Sequence, residues 1–266
     1  MKTRVLSAIV LIIVIVPLLI LGGLPFRLFV TLISILGFKE LFDIRKKERK
    51  LPIIVQVLSY ILLGLFILFS NETELSNFAF DYRIISILLL VLLLPIIFIN
   101  DDGKYNIKDA LFLIGGIVFL GIGFNNFIIV RSFSLTHMIY LVLITTMTDT
   151  FALFTGMFIG KHKLCERISP KKTIEGAIGG SLIGTIIPSL FYIYVININV
   201  NVVVLIFVTL LLTVIGQLGD LLFSSIKRHF GVKDFSNLIP GHGGILDRFD
   251  SLILVVITYL LFMTIL

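Results

Sequence analysis

Asp247 and Asp250 stand three residues apart at the start of the last apolar run of the chain, a spacing that puts both carboxylates on one face of a helix. Carboxylates so placed can share one divalent cation, or they can merely compensate the dipole of a helix N-terminus. Hard oxygen ligands with no His or Cys cluster beside them favour Mg2+ over zinc, and Mg2+ usually arrives bound to substrate phosphates. Asp220 supplies a third acid. Ser224 and Lys227 follow it at i+4 and i+7, so one helical stripe reads carboxylate, hydroxyl, ammonium. A structural salt bridge at the membrane edge is the competing reading of that stripe. Asp149 stands among Thr145, Thr146, Thr148 and Thr150, about eleven residues and hence roughly 17 Å before Gly160. It is expected to be buried, facing a water-filled cavity or a cation, or else held protonated by the threonines.

Two stretches could grip phosphate. Ile239-Pro240-Gly241-His242-Gly243-Gly244 is a glycine-rich turn that feeds a helix N-terminus, where backbone amides and partial positive charge suit an oxyanion. Gly160-Lys161-His162-Lys163-Leu164 and Ser169-Pro170-Lys171-Lys172-Thr173-Ile174-Glu175-Gly176 form a second turn rich in cations and hydroxyls. Its charge has a second reading, as the positive excess of a cytoplasmic loop. Carboxylates for metal and cations with glycine amides for polyphosphate, set in a membrane, point to phosphoryl or nucleotidyl transfer onto a lipid head group.

The elements that position these groups must be membrane helices. Of 266 residues 58% are hydrophobic and 14% charged, and the mean hydropathy is +1.13, beyond the range of soluble domains. The sequence predicts an all-α, polytopic integral membrane protein of about nine transmembrane helices, near 4–21, 25–43, 52–69, 84–99, 108–130, 135–160, 174–196, 202–226 and 245–266. The first run resembles a signal peptide, yet it opens directly into another apolar run, so a retained helix is expected. Alternating spans leave only Arg27, Arg83 and Arg131 of the 22 cations on one face, which is then extracytoplasmic, as is the acidic loop Asn71–Glu74. The N-terminus is accordingly cytoplasmic and the C-terminus extracytoplasmic, in a plasma (inner) membrane. The basic excess is thus topology and not nucleic-acid binding. The single Cys165 excludes a disulfide framework or a Cys-rich metal site.

Polar residues gather late in the chain, which suggests anchoring helices over 1–105 and a catalytic portion over 106–266. Gly115-Gly116, Gly121 and Gly123, and Gly176, Gly179-Gly180 and Gly184, are spaced for close helix packing and also permit a homodimer.

The block from Ser224 to Asp250 resembles the phosphatidate cytidylyltransferase (CDP-diacylglycerol synthase) family. Ser224, Ile226, Lys227-Arg228, Lys233-Asp234, Ser236, Pro240 to Gly244, Ile245, Asp247-Arg248, Phe249 and Asp250 match its signature without a mismatch over 27 residues. The stretch from Gly160 to Gly176 and the position of Asp149 are similar to the family's second shared region. Asp149-Thr150-Phe151-Ala152-Leu153 departs from the Asp-Ser-Gly-Ala-Tyr of many members by losing an aromatic hydroxyl. The resemblance implies that CTP and phosphatidic acid, a membrane lipid, react to give CDP-diacylglycerol and pyrophosphate with Mg2+ required. It implies Asp220, Asp247 and Asp250 as metal ligands, with Lys227 and Arg228 completing the catalytic set. Ser169, Lys171, Lys172, Thr173, Lys233, His242, Gly243, Gly244 and Arg248 would hold the substrates, and Asp149 would line the deeper cavity or place a second, monovalent cation. A lipid or polyprenol kinase, or a CTP-dependent transferase acting on another lipid, remains open as an alternative. So does a cation-coupled anion transporter with Asp149 and Asp220 as ion sites near broken helices.

Overall fold

The computed structural model describes residues 2–46, 50–69, 82–99 and 105–266; the side chains of residues 2–5 and of Tyr82 fall outside that description. The acidic loop Asn71–Glu74 and the cations Lys47, Arg49 and Lys104, all used to orient the chain, lie outside the described residues. Four helices among the described residues are long and apolar enough to cross a membrane: Ile107–Phe133, Leu135–Ile159, Ile174–Ile196 and Val202–His229. Leu6–Leu21, Ile53–Leu68 and Arg83–Phe98 are shorter apolar helices. The chain is an all-α membrane protein. Length and apolarity assign fewer spans than the nine expected, because the remaining helices are shorter or, as in the second, interrupted by Arg27, Lys39, Glu40 and Asp43. The chain divides into two compact units, residues 1–132 with 235–245, and residues 133–234 with 246–266. This break falls later than the 105/106 boundary expected, and it groups the glycine-rich loop with the early helices.

In the first unit α1 (Lys2–Leu21) and α2 (Gly23–Lys46) are separated by Gly22, whose φ of 62° is a left-handed conformation that favours glycine. Arg131 explains why no side chain stands there: its guanidinium donates to the carbonyls of Leu19 and Ile20, and a Cβ on Gly22 would lie 2.8 Å from it. A cation thus caps the carbonyl end of α1. There follow α3 (Ile53–Leu68), α4 (Tyr82–Leu93), α5 (Pro95–Phe98) and α6 (Ile107–Phe133). Asn106 and Asp109 cap α6 reciprocally, each side chain accepting from the other's backbone N–H at 3.0 and 3.2 Å. Asp109, fully buried, is also paired with Arg45 at 3.3 Å. Gly116 packs against Phe38 and Leu41, and Gly121 against Phe66.

The second unit contains α7 (Leu135–Ile159), a hairpin of β1 (Lys163–Cys165) and β2 (Ser169–Thr173), α8 (Ile174–Phe191, continued by a π turn to Ile196), α9 (Val202–His229) and α10 (Leu246–Phe262). Ser134, Thr173 and Asn201 cap α7, α8 and α9. The glycines of α8 do what their spacing predicts. A Cβ on Gly176 would lie 2.7 Å from the Ala152 carbonyl and one on Gly180 2.6 Å from that of Thr148, so α7 and α8 touch backbone to backbone. Because these glycines are used within the chain, they no longer argue for a homodimer.

Candidate active site

The acids of the second unit are brought together by close helix contacts. A Cβ on Gly219 would stand 2.8 Å from the carbonyl of Asp250, so α9 and α10 meet directly beside Asp220. Gly180 and Gly184 of α8 lie against Thr148, the neighbour of Asp149 on α7. Asp250 lies within electrostatic reach of Asp220, Asp149 and Lys227, and Asp149 within reach of Lys172 and Asp220. Acidic side chains from α7, α9 and α10 therefore converge, as the sequence led us to expect.

The pairing inside this cluster differs from the expected sharing of one cation by Asp247 and Asp250. Asp247, 8% exposed, forms an ion pair with Lys227 at 2.7 Å, both side chains being nearly enclosed. Lys227, on α9, is thereby within reach of both acids of α10. Asp220 is paired with Lys172 of β2 and accepts from Ser224 Oγ at 3.3 Å. The stripe along α9 is therefore real, but its ammonium serves α10. Asp149 reaches the surface of α7 while standing close to Lys172 and Asp220. The threonines do not hold it: Thr145 Oγ1 donates back to the carbonyl of Val142, and Thr148 Oγ1 is buried with no partner among the described residues.

The stretch Ser169–Thr173 is a strand and not a turn, and strand alternation separates its lysines: Lys172 faces Asp220 while Lys171 is exposed. The side chain of Thr173, 8% exposed, accepts from the N–H of Gly176 at 3.1 Å and is wedged between Gly156, Gly160 and Gly176, so it caps α8. The carboxylate of Glu175 closes the other side of the hairpin, taking the N–H groups of Lys161 and His162 and the ring of His162 at 2.6 Å. Arg228 donates to the carbonyl of Val232, where it fixes the end of α9. Ser169 is half-buried, and Lys233 and Arg248 are exposed.

In the first unit the glycine-rich loop is folded around an acid that the sequence reading passed over. Glu40 of α2, 4% exposed, accepts from Ser236 Oγ at 2.6 Å and from the N–H of Ile245 at 2.8 Å. A Cβ on Gly244 would lie 2.5 Å from its carboxylate oxygens. The position a side chain at Gly244 would take is thus filled by the chain's own carboxylate. Gly241 and Gly243 hold the left-handed turn with φ of 80° and 83°, and His242 Nδ1 meets Ser7 Oγ at 2.8 Å. The signal for Glu40 was an acid set between Phe38 and Leu41 near the charged end of α2, beside Lys39 and Asp43.

Among the described residues no three acid, His or Cys side chains are close enough to form a ready metal cage. Mg2+ does not require one, since one or two carboxylates suffice when substrate phosphates complete its shell, and the donors present are all hard oxygens.

Residues 2–266 match the model of the cytidylyltransferase family. A phosphatidate cytidylyltransferase of Staphylococcus haemolyticus is 37% identical over 256 residues, 96% of each chain. One from Staphylococcus saprophyticus matches at 37%, and one from Staphylococcus aureus (strain COL) at 38%, with the same coverage.

Proposed function

We propose, on the premise that the chain belongs to the cytidylyltransferase family, that it transfers CMP from CTP to phosphatidic acid, giving CDP-diacylglycerol and pyrophosphate at the cytoplasmic face of the plasma membrane. The observation that carries this reading is the convergence of Asp149, Asp220 and Asp250 with Lys172 and Lys227 in one unit. Displacement at phosphorus asks for charge neutralisation and alignment more than for covalent help. An oxygen of the phosphatidate phosphate attacks the α-phosphorus of CTP, the bond to the β-phosphate oxygen breaks, and pyrophosphate leaves.

Lys172 and Lys227 are held on Asp220 and Asp247, oriented by their partners and able to turn toward triphosphate oxygens. Lys171, Lys233 and Arg248, all exposed, would add positive charge for the incoming anion, and Ser169 a hydroxyl. Asp220 and Asp250 are the acids best placed to hold Mg2+ with the phosphates, Asp247 being committed to Lys227. Bound there, Mg2+ would neutralise charge on attacking and leaving oxygens. His242 and Gly243 are assigned to a phosphate oxygen. The transporter reading loses its support: α7 and α9 run unbroken through Asp149 and Asp220.

The purified protein, incubated with labelled CTP, phosphatidic acid and Mg2+, should yield lipid-linked CMP and pyrophosphate in equal amounts. Release of free CDP instead would identify a kinase and defeat the proposal.

A further inference from the structure

The reading of the first helices as anchor leaves two of their polar side chains unexplained. Glu40 sits on α2 among buried Phe38, Leu41 and Phe42, with Lys39 and Asp43 in the same stretch. Ser7 is a polar residue in the apolar α1. Both are aimed at the same distant segment, residues 236–245. The loop has its own internal bonds, Ile239 N–H to the Gly243 carbonyl at 2.8 Å and His242 N–H to the Ile239 carbonyl at 2.9 Å. Those bonds fix the turn, but they do not fix where the turn or its imidazole points.

We propose that Glu40 and Ser7 are positioning residues for phosphate binding by the Pro240–Gly244 loop, Glu40 setting the backbone and Ser7 setting the imidazole of His242. This rests on the proposed phosphate role of that loop. Glu40 draws together Ser236 and Ile245, which flank the turn on both sides, and its carboxylate leaves room at Gly244 for nothing larger than hydrogen. Ser7 has one hydroxyl proton, and it is directed to the Pro240 carbonyl at 2.9 Å. Its oxygen must then accept from Nδ1–H of His242. That tautomer leaves the lone pair on Nε2. There the imidazole accepts a hydrogen bond from the remaining P–OH of a phosphate monoester, while the other ring nitrogen stays on Ser7. Without Ser7 the ring can place its proton on Nε2 or turn away.

The test uses the full chain with CTP, phosphatidic acid and Mg2+. Ser7→Ala should lower kcat/KM for phosphatidic acid about tenfold while KM for CTP stays within about twofold, and Ser7→Thr, which keeps the hydroxyl, should recover most of the loss. In a His242→Ala background Ser7→Ala should cost less than a further twofold, because its effect passes through the ring. Multiplicative losses in the double variant, or unchanged kinetics for Ser7→Ala, overturn the proposal. Hydrogen exchange reads Glu40 without turnover: the Ile245 amide should exchange at least tenfold faster in Glu40→Gln and in Ser236→Ala, the latter covering the case in which a Glu40 variant fails to fold. Exchange equal to wild type overturns the Glu40 assignment. Failure of the wild type to make CDP-lipid would strike the functional reading, and the exchange result would still decide the clamp.

Discussion

The two units put their acids to different use. In the second, Asp220 and Asp247 meet lysines from other elements, while Asp149 and Asp250 stand near those same cations. In the first, Glu40 gathers a hydroxyl and an amide from a loop, and Asp109 gathers Arg45 and the start of a helix. A lysine can exchange its carboxylate for a phosphate when a ligand arrives, so the second arrangement can be remade during a reaction. A carboxylate gripped by backbone has no such alternative and serves as a fixture. The contrast separates a region whose acids pair with lysines from one whose acids hold a loop and a helix start.

Substitutions can break that contrast or sharpen it. Lys227→Met strands Asp247 in a nearly closed site and should cost about 3–5 kcal/mol of stability. Thermal unfolding in detergent should show the loss, and Lys227→Met with Asp247→Leu should restore the midpoint without restoring activity. Asp220→Asn or Asp250→Asn should leave a folded protein whose turnover is lower by about 10²- to 10³-fold at saturating Mg2+. Turnover within a few fold of wild type would remove these acids from the chemistry. Asp109→Ala, in the first unit, removes both a cap and an ion pair and should lower stability by about 2 kcal/mol, with turnover per folded molecule within about twofold of wild type. A selective loss of turnover there would erase the distinction between units. Thr173→Ala should show the smallest effect, about 1 kcal/mol for a lost helix cap, with KM for CTP unchanged; a raised KM would return this hydroxyl to the substrate.

Much of this was legible in the sequence because local rules govern it. The helices α6 to α9 begin and end within a few residues of the expected spans, and the glycines of α8 announced their packing through a fourfold spacing. The convergence of acids could be anticipated from their positions along three apolar runs. Partner choice could not. Whether Lys227 turns to Asp220 on its own helix or to Asp247 on another depends on how two helices are rotated against each other, and periodicity along one chain carries no such phase. Ser169–Thr173 was hidden for a different reason: with Pro170 and paired lysines it has the composition of a turn, and only pairing with Lys163–Cys165 makes it a strand whose alternation sends Lys172 inward. Glu40 was visible as an acid in α2 but mute about its purpose, since the segment it organises lies 205 residues onward.

That separation has a consequence for how the protein is made. Glu40 precedes its donor Ile245 by 205 residues, and Ser7 precedes His242 by 235. A chain emerging from the ribosome inserts its early helices well before residues 235–245 exist, and contacts so remote in sequence close late. Until then the carboxylate of Glu40 lacks the loop donors that satisfy it in the finished molecule. An unfinished or truncated copy therefore lacks the contacts by which Glu40 and Ser7 hold this loop.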